Sequence, residues 1–252
     1  MKLPETYRVL QDGRVRAVVR QDLVPTLGPW LLAPRLVLPP GSEALASGRG
    51  AAYRTVLPDG TRAVVRIARR GGLVARFVRE TYVGLTPRPL RELVVTAEAR
   101  RRGVAAAEVL GVRVEGGVVY RGAVVTAEVP SARTLVDALR GAPDARARQA
   151  LAVSAGRAVA VLHAAGVFHA DLNLTNIVVH PGASGPAVAL LDFDRARLRA
   201  APLSMAACRR NLRRLARSLA KLDPRTELAG PDERRAFRGA YRDAARSDPC
   251  AP

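Results

Sequence analysis

Apolar and polar positions change period several times along this chain, and each change marks an element. Ala51–Leu57 and Arg62–Ile67 are alternating, β-branched stretches separated by Pro58-Asp59-Gly60, the pattern of a strand, a tight turn and a second strand. A glycine-rich stretch, Ser47–Gly50, precedes them. The spacing then predicts a helix over 87–104. Pro87 opens it, Gly103 ends it, and Leu90, Leu93, Val94 and Ala97 line one face. Val109–Val129 reads as two strands around Glu115-Gly116-Gly117. A helical region starts at Thr134, resumes at Ala145 and runs to about Ala165. Strand and loop pieces follow over 166–179. A short buried strand is expected to end at Asp192, and from Ala201 onward the chain reads as helical.

Residues 1–40 read as irregular and proline-rich. Leu23–Pro40 is apolar but broken by Pro25, Pro29, Pro34 and Arg35, so it is expected as an extended segment packed on a domain. The resulting fold class is α+β: a β-rich half carrying one key helix, then a helical half. Glu128–Ala132 is the expected hinge, giving lobes 1–128 and 129–252.

Composition narrows the function. The 252 residues carry a net charge of +19, nearly all from arginine, since Lys2 and Lys221 are the only lysines. Arg195–Arg246 alone holds 15 basic against 5 acidic residues. Such a chain suits an anionic partner: nucleic acid, anionic lipid or a phosphate-rich glycolipid. Nucleic acid is disfavoured, because aromatics are only 4% and no helix-turn-helix, zinc or stacking signature occurs. Two cysteines, Cys208 and Cys250, argue against a disulfide framework. The first fifteen residues contain no apolar signal region, and no apolar run reaches the ~18 residues that a spanning helix needs.

The densest polar cluster is "HADLNLTN", His169–Asn176, set between apolar runs. Asp171 precedes Asn176 by five residues, and Asp192 ends an apolar stretch further on. Oxygen ligands from Asn176 and Asp192 suit Mg²⁺, which takes few protein ligands and completes its shell with phosphate and water. A separate carboxylate, Asp171, can accept a proton from an attacking hydroxyl. Together they describe phosphoryl transfer. A lone D-x-x-x-x-N is weak; its weight comes from order. A glycine-rich hairpin, a helix with a central glutamate, this loop and then "DFD" follow the kinase sequence of parts.

At these residues the chain resembles the lipopolysaccharide kinase family of the protein-kinase-like fold, and within it the branch that phosphorylates 3-deoxy-D-manno-octulosonic acid (Kdo). The likeness runs over roughly residues 45–220. It is carried by "GRG" at 48–50, "VVRIARRGGLVARF" at 64–77, "RELVVTAEARRRGV" at 91–104, "TAEVPSARTL" at 126–135, "LHAAGVFHADLNLTNIVV" at 162–179, "LLDFDRAR" at 190–197 and "NLRRLARSL" at 211–219. Ordinary protein kinases would show Lys or Arg at Asn173, Gly at Asp194 and a downstream A-P-E; none occurs, which argues against a protein substrate.

The resemblance implies ATP and Mg²⁺ as cofactors. It makes Asp171 the catalytic base, with Asn173 bracing the loop or reaching the substrate. Asn176 and Asp192 would hold Mg²⁺, Gly48 and Gly50 would cover the phosphates, and the backbone at Glu128–Val129 would meet the adenine. Glu92 would orient the strand cation. With no lysine between positions 2 and 221, that cation is Arg66, at the place of the kinase lysine. His163 and His169 are expected to order the loop. The implied acceptor is a Kdo hydroxyl, the 4-hydroxyl, of Kdo-lipid A or a related inner-core glycolipid, reached by peripheral attachment to an anionic membrane surface at the cytoplasmic face of the inner membrane. A phosphotransferase of the aminoglycoside or choline type also carries H-x-D-x-x-x-x-N. A cationic substrate fits a +19 chain poorly.

Overall fold

The computed structural model describes residues 3–45, 51–67, 82–83, 86–183 and 185–246. By internal packing the chain divides into two compact units, Met1–Ala97 with Ala107–Glu128, and Glu98–Ala106 with Val129–Pro252.

The first unit contains β1 (Tyr7–Asp12), β2 (Val15–Arg20), α1 (Val24–Leu32), β3 (Glu43–Leu45), β4 (Ala51–Val56), β5 (Arg62–Ile67), β6 (Tyr82–Val83), α2 (Arg88–Arg101, its residues from Glu98 on counted with the second unit), β7 (Val109–Gly116) and β8 (Val119–Ala127). The strands form one sheet in the order β1-β2-β7-β8-β5-β4-β3, with β6 also pairing β8. Every pairing is antiparallel.

Apolar side chains cover both faces of this sheet. Leu90 and Leu93 of α2 pack with Val18, Val112 and Val124 on one face. Leu27 and Leu31 of α1 pack with Ala17, Val19, Val65 and Val125 on the other. Leu110 reaches the α1 face although Val112 points to α2. A register shift between Val109 and Gly111 breaks the two-residue alternation there.

The N-terminal forty residues are therefore not irregular. Gly13-Arg14 closes a hairpin, with Gly13 at φ +51° where a side chain is disfavoured. Val24–Leu32 is helical rather than extended. Pro25 stands in the first turn, where its missing N–H is harmless. Pro29 lies inside the helix and costs about 3 kcal/mol. Leu27 and Leu31 are fully buried, at about 2–3 kcal/mol each, and outweigh it. The C-terminus of α1 is closed from outside: the buried Arg113 guanidinium donates to the carbonyls of Leu31 and Ala33, both at 2.6 Å.

The second unit contains β9 (Arg133–Thr134), α3 (Leu135–Arg140), α4 (Ala145–Ala164), β10 (Val167–Phe168), β11 (Ile177–Gly182), β12 (Gly185–Leu190), β13 (Arg197–Leu198), α5 (Met205–Leu222) and α6 (Pro231–Arg246). Side-chain oxygens of Thr134, Asp144 and Ser204 accept the N-terminal amides of α3, α4 and α5. Helix α6 lies directly on α4: a Cβ at Gly156 would sit 2.4 Å from the Phe237 carbonyl, so only glycine permits this approach. The strand expected to end at Asp192 stops at Leu190. Asp192 follows at φ +64°, a left-handed conformation that turns the chain out of extended geometry.

Candidate active site

The site residues lie in two groups, one in each unit. In the first unit, β5 places Ala63 and Val65 on the α1 face of the sheet. Alternation therefore puts Arg66 on the α2 face, paired in register with Val124. There its guanidinium donates to the carboxylate of Glu92, whose side chain is only 5% exposed. The strand cation and the helix glutamate named from the sequence are in contact. Glu128 behaves differently from an exposed hinge residue. Its carboxylate, 8% exposed, accepts from Nε of Arg62 and Nε of Arg54, both at 2.7 Å. The Arg62 guanidinium, then Arg54, holds it below the usual carboxylate range against the opposing effect of burial. The Glu128 amide donates to the Arg62 carbonyl at 3.0 Å, and the Val129 carbonyl accepts from Ala132 at 3.2 Å. Gly48 and Gly50 lie outside the described residues.

In the second unit, His169–Asn176 forms a tight polar loop between β10 and β11. Asn173 braces it. Its Oδ1 accepts from the amides of Thr175 (2.9 Å) and Asn176 (3.0 Å) and from the Thr175 hydroxyl (2.7 Å), and its Nδ2 donates to the Asp171 carbonyl at 3.0 Å. These bonds commit the Asn173 amide to the loop itself. Asn176 donates through Nδ2 to the same Asp171 carbonyl, at 2.9 Å. That bond fixes the amide plane and leaves Oδ1 uncommitted among the described residues. An oriented amide oxygen and the Asp192 carboxylate are the hard-oxygen donors that Mg²⁺ prefers, so these residues fit that ion. Among the described residues no cluster of three or more His, Cys, Asp or Glu side chains could hold a metal.

Both histidines order the loop from within. His169 is 1% exposed, and its Nε2 donates to the Leu191 carbonyl at 3.0 Å, tying the loop to the segment that carries Asp192. Its ring meets Phe193 edge-on at 5.0 Å. Burial lowers its pKa, so it stays neutral. His163 of α4 accepts from the Tyr241 hydroxyl at Nδ1 (2.8 Å) and donates from Nε2 to Asn211 Oδ1 (3.3 Å). Burial pushes its pKa down to about 4.

Three residues of α5 escaped the sequence reading and are part of this site. Asn211, fully buried, accepts from the His169 amide (3.3 Å) and donates to the His169 carbonyl (2.8 Å). Ser218 accepts from the Leu174 amide at 3.3 Å. Arg214 donates through Nη2 to the Asp171 carboxylate. A signal was present: Asn211 and Ser218 interrupt an otherwise apolar helix face that includes Cys208 and Leu215, and a buried polar side chain demands a partner.

Known proteins resemble this chain in sequence and in fold. The lipopolysaccharide kinase (Kdo/WaaP) family profile matches residues 44–240. A 3-deoxy-D-manno-octulosonic acid kinase of Xanthomonas campestris pv. campestris (strain B100) is 36% identical over 184 residues, covering 69% of this chain and 68% of its own. One of the same description from Xylella fastidiosa (strain M12) is 33% identical over 179 residues, with 69% and 68% covered. Among solved structures, WaaP in complex with acyl carrier protein superposes with a TM-score of 0.55 at 19% identity, covering 83% of each chain. The Rio2 kinase–ADP/Mg²⁺–phosphoaspartate complex from Chaetomium thermophilum gives 0.51 at 14%, covering 96% of this chain and 82% of that one. The fold is thus protein-kinase-like and α+β, as the resemblance implied. With the family profile running from β4 through the polar loop and α5 into α6, the chain belongs to the lipopolysaccharide kinase (Kdo/WaaP) family and is an ATP-dependent kinase.

Proposed function

We propose that this kinase phosphorylates the 4-hydroxyl of Kdo on Kdo-lipid A during assembly of the lipopolysaccharide inner core. The observation that carries the reading is the loop in which Asn173 and Asn176 both clamp the Asp171 carbonyl. This braces the Asp171 backbone on a tight turn and leaves Asn176 Oδ1 uncommitted among the described residues. Asp171 takes the proton of the acceptor hydroxyl as its oxygen bonds to the γ-phosphorus. The bond from that phosphorus to the β–γ bridging oxygen breaks, and ADP leaves. Mg²⁺, held by Asn176 and Asp192, would neutralise charge on the phosphates. Arg66, oriented by Glu92, holds phosphate oxygens. Gly48 and Gly50 cover them, and the Glu128–Val129 backbone receives the adenine. The 15 basic residues of Arg195–Arg246 hold the protein on the anionic cytoplasmic face of the inner membrane. Among the described residues no helix is long and apolar enough to cross a membrane, so attachment is peripheral in this reading.

The test is incubation of the purified protein with ATP, Mg²⁺ and Kdo-lipid A, followed by mass spectrometry. The expected product carries one added phosphate, located on the Kdo 4-oxygen by fragmentation. Phosphorylation of choline or an aminoglycoside with Kdo-lipid A untouched would refute the assignment. Liposome sedimentation tests the attachment: binding to anionic vesicles should fade as salt rises.

A further inference from the structure

We infer that Arg214 is the receptor for the acceptor's carboxylate, and so a determinant of sugar-acid specificity. The inference rests on the proposed Kdo acceptor and deepens it.

Helix α5 runs in register with the catalytic loop. Arg210 lies over the Phe168 ring with its guanidinium carbon 5.9 Å from the centroid. Asn211 holds His169, Arg214 meets Asp171, and Ser218 meets Leu174. Asn211 and Ser218 are spent on backbone groups. Arg214 is not spent. Among the described residues Asp171 is its one hydrogen-bond partner, reached through Nη2, and Nε is buried without any. Its side chain is 40% exposed beside the catalytic carboxylate, itself 36% exposed, and Nη1 has no partner among the described residues.

An acidic sugar approaching Asp171 brings a carboxylate toward a carboxylate and toward the triphosphate, and is repelled by both. A guanidinium with one prong on Asp171 removes that repulsion and offers its remaining donors to a second carboxylate in charge-assisted, planar geometry. Arg210, one helical turn away, adds a second cation on the same side. The bridge also selects a hydroxyl. With the acceptor carboxylate on Arg214, the hydroxyl facing Asp171 must lie within one guanidinium's span. In Kdo the carbon next to the carboxylate-bearing C2 has no hydroxyl, and C4 is the first that does.

The experiment compares Kdo-lipid A with its Kdo methyl ester, which keeps every hydroxyl and loses the charge. Wild-type protein should use the acid roughly tenfold to hundredfold better in kcat/KM, through KM. Arg214→Gln should raise the KM for the acid by a similar factor and bring the acid-to-ester ratio close to one, and Arg214→Lys should restore part of the preference. Equal use of acid and ester by the wild type needs no variant to fold and overturns the inference alone, as does an Arg214→Gln loss shared equally by both acceptors. A wild type inert toward Kdo-lipid A overturns the functional reading and the inference with it.

Discussion

Replacing Asn211 by alanine tests whether the catalytic loop is held by α5. The side chain is fully buried and joins three groups: the His169 amide, the His169 carbonyl and His163 Nε2. His169 and His163 are themselves 1% and 4% exposed, so none of the three can turn to bulk water. A buried donor or acceptor left unmatched costs about 1–3 kcal/mol. A water drawn into the vacated space would satisfy part of the set. The net expectation is a loss of about 3–5 kcal/mol, against a total stability of about 5–15 for an ordinary domain. Urea unfolding reads this as a lower midpoint at unchanged slope. The exposed neighbour Arg213→Ala, with no such network, should stay within about 0.5 kcal/mol. Because His169 sits two residues before Asp171, kcat of the Asn211 variant should also fall at temperatures where it remains folded. A loss below about 1 kcal/mol, with kcat unchanged, would mean the loop holds its shape without the helix and would refute the reasoning.

Asp171→Asn should lower kcat about 10²–10⁴-fold with ATP affinity retained, measured by steady-state turnover beside calorimetric nucleotide titration; near-normal turnover would remove Asp171 as the base. Asp192→Ala should instead abolish the Mg²⁺ dependence of ATP binding, and unchanged affinity in a magnesium titration would contradict the metal assignment. Arg66→Ala leaves the Glu92 carboxylate buried without this partner and should cost about 3 kcal/mol of stability and over tenfold in kcat/KM for ATP. The Arg66/Glu92 double variant should be little worse than either single one, and additive losses would separate the two. His163 is neutral when folded, with its pKa held down to about 4, and takes up a proton on unfolding below its ordinary 6.5. Its contribution is fully present above pH 6.5 and is lost as pH falls toward 4, up to about 3 kcal/mol. Urea unfolding of wild type and His163→Gln across that window should show a shallower pH dependence in the variant.

What could be read from the sequence was whatever local chemistry decides. Asp171, Asn173 and Asn176 sit within six residues, and Asn173 closes bonds to its own second and third neighbours, so the loop needs no distant partner to be recognised. Arg66 and Glu92 are 26 residues apart, and their pairing was legible through the family resemblance, because strand alternation alone left a solvated Arg66 open. The N-terminal forty residues were misread for the opposite reason. Pro25, Pro29 and Pro34 argue against helix locally, and what overrules them is burial of Leu27 and Leu31 against a sheet assembled from β2 just upstream and from β5, β7 and β8 further down the chain. Close approach also needs Gly111, where a Cβ would meet Leu27 at 2.9 Å. Leu23, Leu27 and Leu31 recur at helical spacing, but the prolines mask it and nothing in Leu23–Pro40 names the strands that cover this face.

The same distinction explains why α5 was passed over. Its Arg-rich face looks like a solvated surface, and most of it is: Arg209, Arg213 and Arg217 are exposed. What separates Arg214 from them is the phase of the helix, and that phase is set by residues other than arginine. Cys208, Asn211 and Leu215 are buried, so the helix can present only one side to the loop. Asn211 then locks the rotation, because its amide matches both backbone groups of His169 and no neighbouring position would. Once that lock is made, position 214 falls three residues on, just under a full turn, opposite Asp171, and position 218 falls opposite Leu174. A buried polar residue with two matched bonds thus positions a charged one that has only a single partner. The rigidity of the first is what leaves the second free to bind.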